Sequence, residues 1–313
     1  MAETLDTQAP RLVFRASQDL PTVIEETAMA NRRNRKAKRG VERNRFGLTR
    51  SIPEPTKRSV RQRCGFGCVV CGAPFIEYHH FAPFFERAKE HRPEGITLLC
   101  EQHHGDAKAG RLTPQSVHRY NANPCCLRDG HTRKSLVTNY GETGKRLKFM
   151  IGSATFETPI VLMYESEELI SFKPPEAPNA PWRLSARILD RNGKDLLKIV
   201  DNEWRVGVHR YDITTRMNMM EVREGRGDVI FAMEVIYDEL LHITRLDMDC
   251  YGVRIGSDRN GTFSVSGANC GKVIVNGGFR GDIGIHVRPS AKQVLLGASL
   301  DPNVGAGVAM ALT

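Results

Sequence analysis

Apolar and polar residues alternate along the second half of the chain, beyond about Lys145. Leu184, Ala186 and Ile188 show the period of two that is typical of a half-buried strand, and Asp-Arg-Asn-Gly at 190–193 contains the Asn-Gly pair that favours a type I′ hairpin. The same tetrapeptide recurs at 258–261. Many short strands separated by turns predict an antiparallel barrel or sandwich. Further strands are expected at 212–215, 219–223, 229–236, 242–248, 262–265, 273–275 and 284–287.

The first half has shorter and less regular segments. Ser51 and Glu54 match a capping box, which predicts a helix that ends near Arg63. Later helix starts are indicated by a capping residue or a proline ahead of an apolar run. We expect strands at 69–70, 75–81 and 96–99, helices over 101–108 and 113–121, and a loop over 123–133.

Two pairs of candidate metal ligands lie in this first half. Cys68 and Cys71 are separated by two residues, and so are Cys100 and His103. A two-residue gap lets one tight turn, or one turn of helix, present both donors to one ion, and Zn²⁺ binds four such ligands tetrahedrally. The spacing therefore predicts a structural zinc site. His104, the next residue on the predicted helix, is rotated by about 100° and faces away from that ion.

Three histidines exceed what this zinc site needs. Tyr78-His79-His80-Phe81-Ala82-Pro83, together with the stretch from Gly95 to His104, resembles the motifs of the HNH endonucleases, the ββα-metal group, in the subset that carries a zinc knuckle. The resemblance covers about residues 51–124. It implies that His80 is the general base and that His79 and His104 bind a catalytic divalent ion.

Two positions depart from the family pattern. Gly95 occupies the place of the motif's Asn, which in the family braces the loop that orients the base, so another residue must orient His80 or catalysis is weaker. His79 stands where Asp is commoner, although nuclease domains of the colicin type also carry a His-His pair. Because Mg²⁺ favours oxygen ligands, we expect Mn²⁺ or Ni²⁺ to support activity better than Mg²⁺. His91, in a charged loop, is expected to be solvated, and Cys64 to be a buried free thiol.

Basic residues are concentrated ahead of the metal-binding stretch. Between residues 32 and 63, only Glu42 and Glu54 oppose a dense series of Lys and Arg. Next to a nuclease motif, this series indicates a phosphate-binding arm, and a solvated tail is the alternative. The residues expected to contact nucleic acid are Arg58, Arg61, Arg63 and Lys108.

Composition and charge indicate which kind of partner and which cellular compartment the protein has. The net charge of +9 over 313 residues points to a polyanion, and we expect double-stranded DNA, with RNA as the alternative. The cysteines fit a reducing compartment better than a disulfide framework. No apolar run reaches the length of a membrane span, and the amino end lacks a signal-peptide pattern, so a cytoplasmic location is expected.

The sequence thus predicts an α+β protein with several units. They are a basic, partly helical arm (1–50), an HNH domain with a zinc knuckle (51–124), a linker (125–144) and an all-β domain (145–313). The expected activity is hydrolysis of DNA, with the β domain used for homo-oligomerisation, targeting or sensing. One alternative is a non-catalytic, zinc-containing DNA-binding protein. Another is an intact nuclease fold whose activity was lost with the change at Gly95.

Overall fold

The computed structural model describes residues 42–135, 148–299 and 308–311, except 178–179, 181, 217, 237–239, 259 and 268–269. Most of the predicted basic arm and residues 136–144 of the predicted linker lie outside the described residues. Within the described residues, α-helices are few and short, strands dominate, and no helix has the length and apolar content to span a membrane.

The first part of the structure, here called the hairpin region (residues 42–130), combines one small sheet with short helices. Its two strands are antiparallel, with Tyr78 opposite Leu98 and His80 opposite Ile96. A helix follows the second strand directly, which gives the order strand, strand, helix. The elements are α1 Glu54–Cys64, β1 Glu77–His80, β2 Ile96–Leu99, α2 Glu101–Lys108, α3 Pro114–Ala122 and α4 Cys125–Asp129, with 3₁₀ turns at Phe85–Arg87 and Pro93–Gly95.

Three local predictions for this region are wrong. Ser51 does not cap α1, because the N-cap is Pro53 and no side chain caps the helix. Residues 69–70 form a turn, since Cys68 N–H donates to the carbonyl of Ala73 and closes the loop of the first ligand pair. The expected loop at 123–133 contains α4.

The remaining strands form two large sheets in the β region (residues 131–311). The strands are β3 Lys134–Ser135, β4 Lys148–Ile151, β5 Ala154–Glu157, β6 Ile160–Tyr164, β7 Glu167–Lys173, β8 Arg183–Leu189, β9 Asp195–Val200, β10 Glu203–Val206, β11 Asp212–Arg216, β12 Met219–Gly225, β13 Asp228–Ile236, β14 Leu240–Cys250, β15 Val253–Ser257, β16 Phe263–Gly267, β17 Cys270–Val275, β18 Gly277–Arg280, β19 Ile283–Arg288, β20 Gln293–Ala298 and β21 Val308–Ala311. One sheet has nine strands in the order β21-β20-β19-β6-β7-β8-β9-β10-β3. The other has ten, in which β11 to β17 follow one another in sequence, β4 pairs with β14, β5 with β4, and β18 with β5. Most pairs are antiparallel.

The two sheets share one apolar core. Phe149 of β4 packs edge to face on Phe172 of β7, with ring centroids 5.8 Å apart, and Trp204 is fully buried in the same cluster. Neither sheet closes on itself. The predicted barrel is therefore excluded, and two open sheets over one core agree with the predicted sandwich.

The turn at 190–193 differs from the expected type. A type I′ turn needs positive φ at both central residues, but in this turn only Gly193 has it, at +71°. The Asp190 carboxylate accepts hydrogen bonds from the backbone N–H of Asn192 and of Lys194, which closes the turn by another route. Asp258 does the same in the repeated tetrapeptide. The short Asp side chain therefore sets the geometry of both turns.

A polar junction joins the hairpin region to the β region. Arg61 of α1 donates to both carboxylate oxygens of Asp212, at the start of β11, each at 2.8 Å. Both side chains are buried, at 5% and 2% exposed. Thr215 donates its hydroxyl to the carbonyl of Pro74 at 2.6 Å. Phe66 and Cys126 of the hairpin region lie in the core of the β region, so the two parts also share apolar contacts.

Candidate metal centre and histidine pairs

The four predicted zinc ligands converge on one point. Their ligand atoms all lie within 4.8 Å of one another, and among the described residues no other group of three or more His, Cys, Asp or Glu side chains does so. Cys71 Sγ lies 3.8 Å from Cys100 Sγ, and Cys68 Sγ lies 3.5 Å from His103 Nδ1. Ligands bound tetrahedrally at about 2.3 Å for sulfur and 2.0 Å for nitrogen are separated by roughly 3.5–3.8 Å. These two distances fit a zinc ion, whereas Cys100 Sγ lies closer to His103 Nδ1, at 3.1 Å.

The local fold holds these ligands ready. Cys68 and Cys71 lie on the turn that precedes β1, Cys100 is the N-cap of α2, and His103 lies in its first turn. A hydrogen bond from the Cys71 thiol lowers the pKa of Cys68, and backbone N–H groups of neighbouring residues act in the same direction. The pKa of Cys71 is raised, first by this bond and then by burial. The thiolate form of Cys68 is therefore stabilised relative to that of a free cysteine.

His79 and His104 form a pair on another face of α2. Their ring centroids are 5.2 Å apart and the rings are nearly perpendicular. Glu77, two residues before His79 on β1 and thus on the same face of the strand, pairs with His104 Nδ1. This contact fixes the ring of His104 and leaves its Nε2 available to a ligand. The structure therefore brings together the two histidines that the family resemblance assigns to a catalytic ion.

His80 belongs to a separate pair. Its Nε2 lies 3.0 Å from Nδ1 of His91, and Nε2 of His91 lies 2.9 Å from the backbone carbonyl of Thr49. His91 is half-buried and bonded at both nitrogens, so the expectation that it is solvated is wrong. Its position in a loop, eleven residues after His80, gives no sequence signal for this contact.

The two pairs lie on different sides of β1. Successive side chains of a strand alternate between its faces, and accordingly His79 contacts α2 while His80 contacts the loop that carries His91. A cavity of about 240 Å³ adjoins His80 and is bordered by three basic side chains and by Glu90, which pairs with Arg92. Neither His79 nor His104 lines it. The basic residues at its edge are Arg87, Lys89 and Arg92.

Both histidines of β1 have strongly lowered pKa values. Burial lowers the pKa of His79 to about 4, and the neighbouring charges of His104 and Lys108 add to this effect. Burial likewise lowers the pKa of His80 to about 4, and electrostatic repulsion from His91 lowers it further. Both rings are therefore neutral at pH 7. A neutral imidazole has a free lone pair, with which it can bind a metal ion or accept a proton.

Gly95 is enclosed by the backbone of the loop after β1. A Cβ atom at this position would lie 2.1 Å from the carbonyl oxygen of Ala82, a distance that no side chain tolerates without backbone movement. The Gly95 carbonyl also accepts hydrogen bonds from the N–H groups of Phe81 and Ala82, at 2.9 and 3.3 Å. The loop thus has no room for the motif's Asn.

The four predicted nucleic-acid contacts have different environments. Arg61 is buried and bonded to Asp212, Glu54 and Tyr78, so its assignment to a phosphate contact is wrong. Arg63 is half-buried and donates to Asn121 and to backbone carbonyls. Arg58 pairs with Asp212. Lys108 is exposed beside His79. Lys108 is therefore the exposed one of the four, and the other three are buried or half-buried.

The chain matches no protein-family model, no curated protein and no solved structure. Its function must accordingly be inferred from these side chains.

Proposed function

We propose that this protein is a metal-dependent endonuclease of the HNH type that hydrolyses phosphodiester bonds of DNA. The observation that carries the proposal is that α2 contributes one histidine to each of two separate groups of side chains. Adjacent residues of this helix, His103 and His104, belong to two different groups, a Cys₃His cluster on one side and the His79 pair on another. A purely structural zinc site requires only the first group.

The distance between the rings of His79 and His104 is the one that a shared divalent ion would require. An imidazole centroid lies roughly 3.2 Å from an ion that the ring binds at about 2.1 Å, so two rings on one ion at the tetrahedral angle have centroids about 5.2 Å apart. The observed separation is 5.2 Å. Glu77 would hold His104 in place, as outer carboxylates do for ligating histidines. When bound, the ion would supply positive charge that stabilises the leaving oxygen.

His80 would act as the general base. Its neutral imidazole can accept a proton from a water molecule, whose oxygen then forms a bond to phosphorus as the bond to the leaving oxygen breaks. Arg87 and Lys89, at the edge of the adjoining cavity, would attract the phosphate backbone, whereas Arg92 is paired with Glu90. Exposed Lys108 would do the same beside His79.

A non-catalytic, zinc-containing DNA-binding protein is the second candidate. It is favoured by the placement of His79 and His80 on opposite faces of β1, because the cavity beside His80 is not lined by His79 or His104. In that case the Cys₃His cluster would stabilise the fold, and the basic side chains would bind phosphates without cleavage.

A nicking assay tests the proposal. Supercoiled plasmid and single-stranded RNA are incubated with the zinc-loaded protein in Mn²⁺, Ni²⁺ or Mg²⁺, using wild type, His80→Ala, His104→Ala and His286→Ala. His286 is a matched control, because its Nε2 bonds to a backbone carbonyl in the β region, far from β1 in the chain.

We expect wild type and the control to nick plasmid, faster in Mn²⁺ or Ni²⁺ than in Mg²⁺. His80→Ala should be slower by about 10²-fold or more, the typical contribution of a positioned base. Cleavage of RNA alone would change the substrate class. Wild-type protein that retards DNA in a gel but cleaves neither nucleic acid under any metal would overturn the enzyme proposal and support the binding one.

A further inference from the structure

The hydrogen bonds of His91 restrict where the protons of two imidazoles can lie. Nε2 of His91 faces the carbonyl oxygen of Thr49 at 2.9 Å, and a carbonyl oxygen can only accept a hydrogen bond. Nε2 of His91 must therefore carry the proton. In the state in which His91 is neutral, its ring has one N–H, so Nδ1 of His91 is left as an acceptor.

The same reasoning extends to His80. Its Nε2 lies 3.0 Å from Nδ1 of His91, and because this Nδ1 accepts, Nε2 of His80 must donate. Neutral His80 then keeps its lone pair on Nδ1. The chain from Thr49 through His91 thus selects one of the two tautomers of His80 and also fixes the plane of its ring.

We infer that His91 is the positioning residue that holds His80 as the Nε2–H tautomer, with Nδ1 as the basic nitrogen. The catalytic consequence of this inference rests on the proposed nuclease function. A proton-abstracting imidazole requires both a known basic atom and a fixed orientation, and a partner on the other ring nitrogen provides both.

The carbonyl that orients His91 is itself held in place. Asn44 donates from its side-chain amide to the carbonyls of Phe85 and Ala88, each at 2.6 Å. The guanidinium of Arg50, the residue after Thr49, lies 4.4 Å from the centroid of the Phe85 ring. The segment before α1 is therefore fastened across the loop that follows β1 on both sides of Thr49, which restrains the Thr49 carbonyl next to His91.

His91 also provides the bracing of His80 that Gly95, which has no side chain, cannot provide. Gly95 has no side chain to brace the base, and the nearby carbonyl of Ala82 leaves no space for one. His91 lies four residues earlier in the same loop and reaches His80 with its own ring. The bracing function is thus present in this chain, at a different position and with a different side chain.

Nuclear magnetic resonance tests the tautomers in the intact, zinc-loaded protein labelled with ¹⁵N-histidine. Long-range ¹H–¹⁵N correlations show which nitrogen of each ring is protonated, and His80→Gln and His91→Asn identify the signals. We expect Nε2 to be protonated in both His80 and His91, with a coupling across the hydrogen bond from His80 Nε2 to His91 Nδ1. A proton on Nδ1 of either ring, or the absence of that coupling, would overturn the inference.

Activity provides the second measurement. In His91→Asn the side-chain oxygen can take the place of Nδ1 as acceptor, whereas His91→Leu retains bulk without an acceptor. We expect His91→Leu to lower kcat by about 10- to 100-fold with KM unchanged, and His91→Asn to recover most of that loss. His286→Leu is the matched control and should behave as wild type. Equal losses in both His91 variants would show a merely structural role and overturn the inference.

The two proposals fail separately. If wild-type protein cleaves no nucleic acid, the proposed function is wrong, and the proton positions still confirm or overturn the His80–His91 arrangement. If wild type cleaves DNA while His91→Leu is as fast as wild type, only the role of His91 is wrong.

Discussion

Removal of the Asp212 carboxylate should strongly destabilise the junction between the hairpin and β regions. Asp212 receives two hydrogen bonds of 2.8 Å from Arg61 and one of 3.2 Å from Arg58. In Asp212→Ala the guanidinium of Arg61 stays buried with Glu54 as its remaining carboxylate. Loss of one partner from a buried ion pair costs about 3–5 kcal/mol. Because Arg61 keeps Glu54 as a partner, we expect the free energy of unfolding to fall by about 3 kcal/mol, the lower end of this range.

The contribution of Asp212 to the stability of the fold should be lost at low pH. Burial raises the pKa of Asp212, but hydrogen bonds and charge from Arg61, followed by those from Arg58, outweigh it and leave the pKa below its ordinary value. A carboxyl group with a lowered pKa in the folded state stabilises fully above its unfolded pKa of about 3.9. This contribution is lost as pH falls through the folded value. Wild type should therefore lose stability below about pH 4 more steeply than Asp212→Asn.

Urea unfolding followed by two probes measures both effects. Trp182 and Trp204 lie in the β region, so their fluorescence reports that region, whereas far-UV circular dichroism reports the whole chain. We expect coincident transitions in wild type and separated ones in Asp212→Ala. Glu203→Gln, which removes an exposed pair, should change stability by less than about 1 kcal/mol. The reasoning is refuted if Asp212→Ala unfolds in one transition with a loss as small as that of the control.

Three further predictions follow from the hairpin region. Cys68→Ser or Cys100→Ser should abolish zinc binding and unfold this region, because metal binding and folding are coupled; zinc content and circular dichroism test this. Gly95→Ala should destabilise by about 1–3 kcal/mol through the clash with Ala82, whereas Gly105→Ala, with open space at its Cβ, should stabilise by up to about 1 kcal/mol in urea titrations. Lys108→Ala should make the plot of log binding constant for DNA against log salt concentration less steep by about one unit of slope. Fluorescence anisotropy measures the binding constants.

Features that depend on neighbouring residues could be predicted from the sequence. The two-residue gaps of both ligand pairs placed Cys68, Cys71, Cys100 and His103 in one cluster, which the structure confirms. The helix at 101–108 is also confirmed, with the bounds Glu101–Lys108. Within each ligand pair and along the helix, spacing determines which side chains share a face. That the two pairs meet, 29 residues apart from Cys71 to Cys100, follows from the preference of zinc for four such ligands.

Features that depend on distant contacts could not be predicted. Arg58, Arg61 and Arg63 occupy one basic run, and nothing in their spacing shows that Arg61 turns inward to a carboxylate 151 residues away. The contact of His91 with Thr49 likewise joins two loops 42 residues apart. The charge of a side chain is known from the sequence, but its partner is set by the tertiary fold.

Gly95 shows how one substitution can be misjudged without the surrounding backbone. From the sequence alone, the missing Asn is a loss, because its side chain has nothing to replace it. In the structure the backbone N–H groups of Phe81 and Ala82 both donate to the Gly95 carbonyl, and this close approach excludes any Cβ. The chain after β1 can turn this tightly only because residue 95 is glycine. The tight turn and the His91–His80 contact lie in the same loop, so the glycine is better explained as part of an alternative way to hold the base than as damage to the original one.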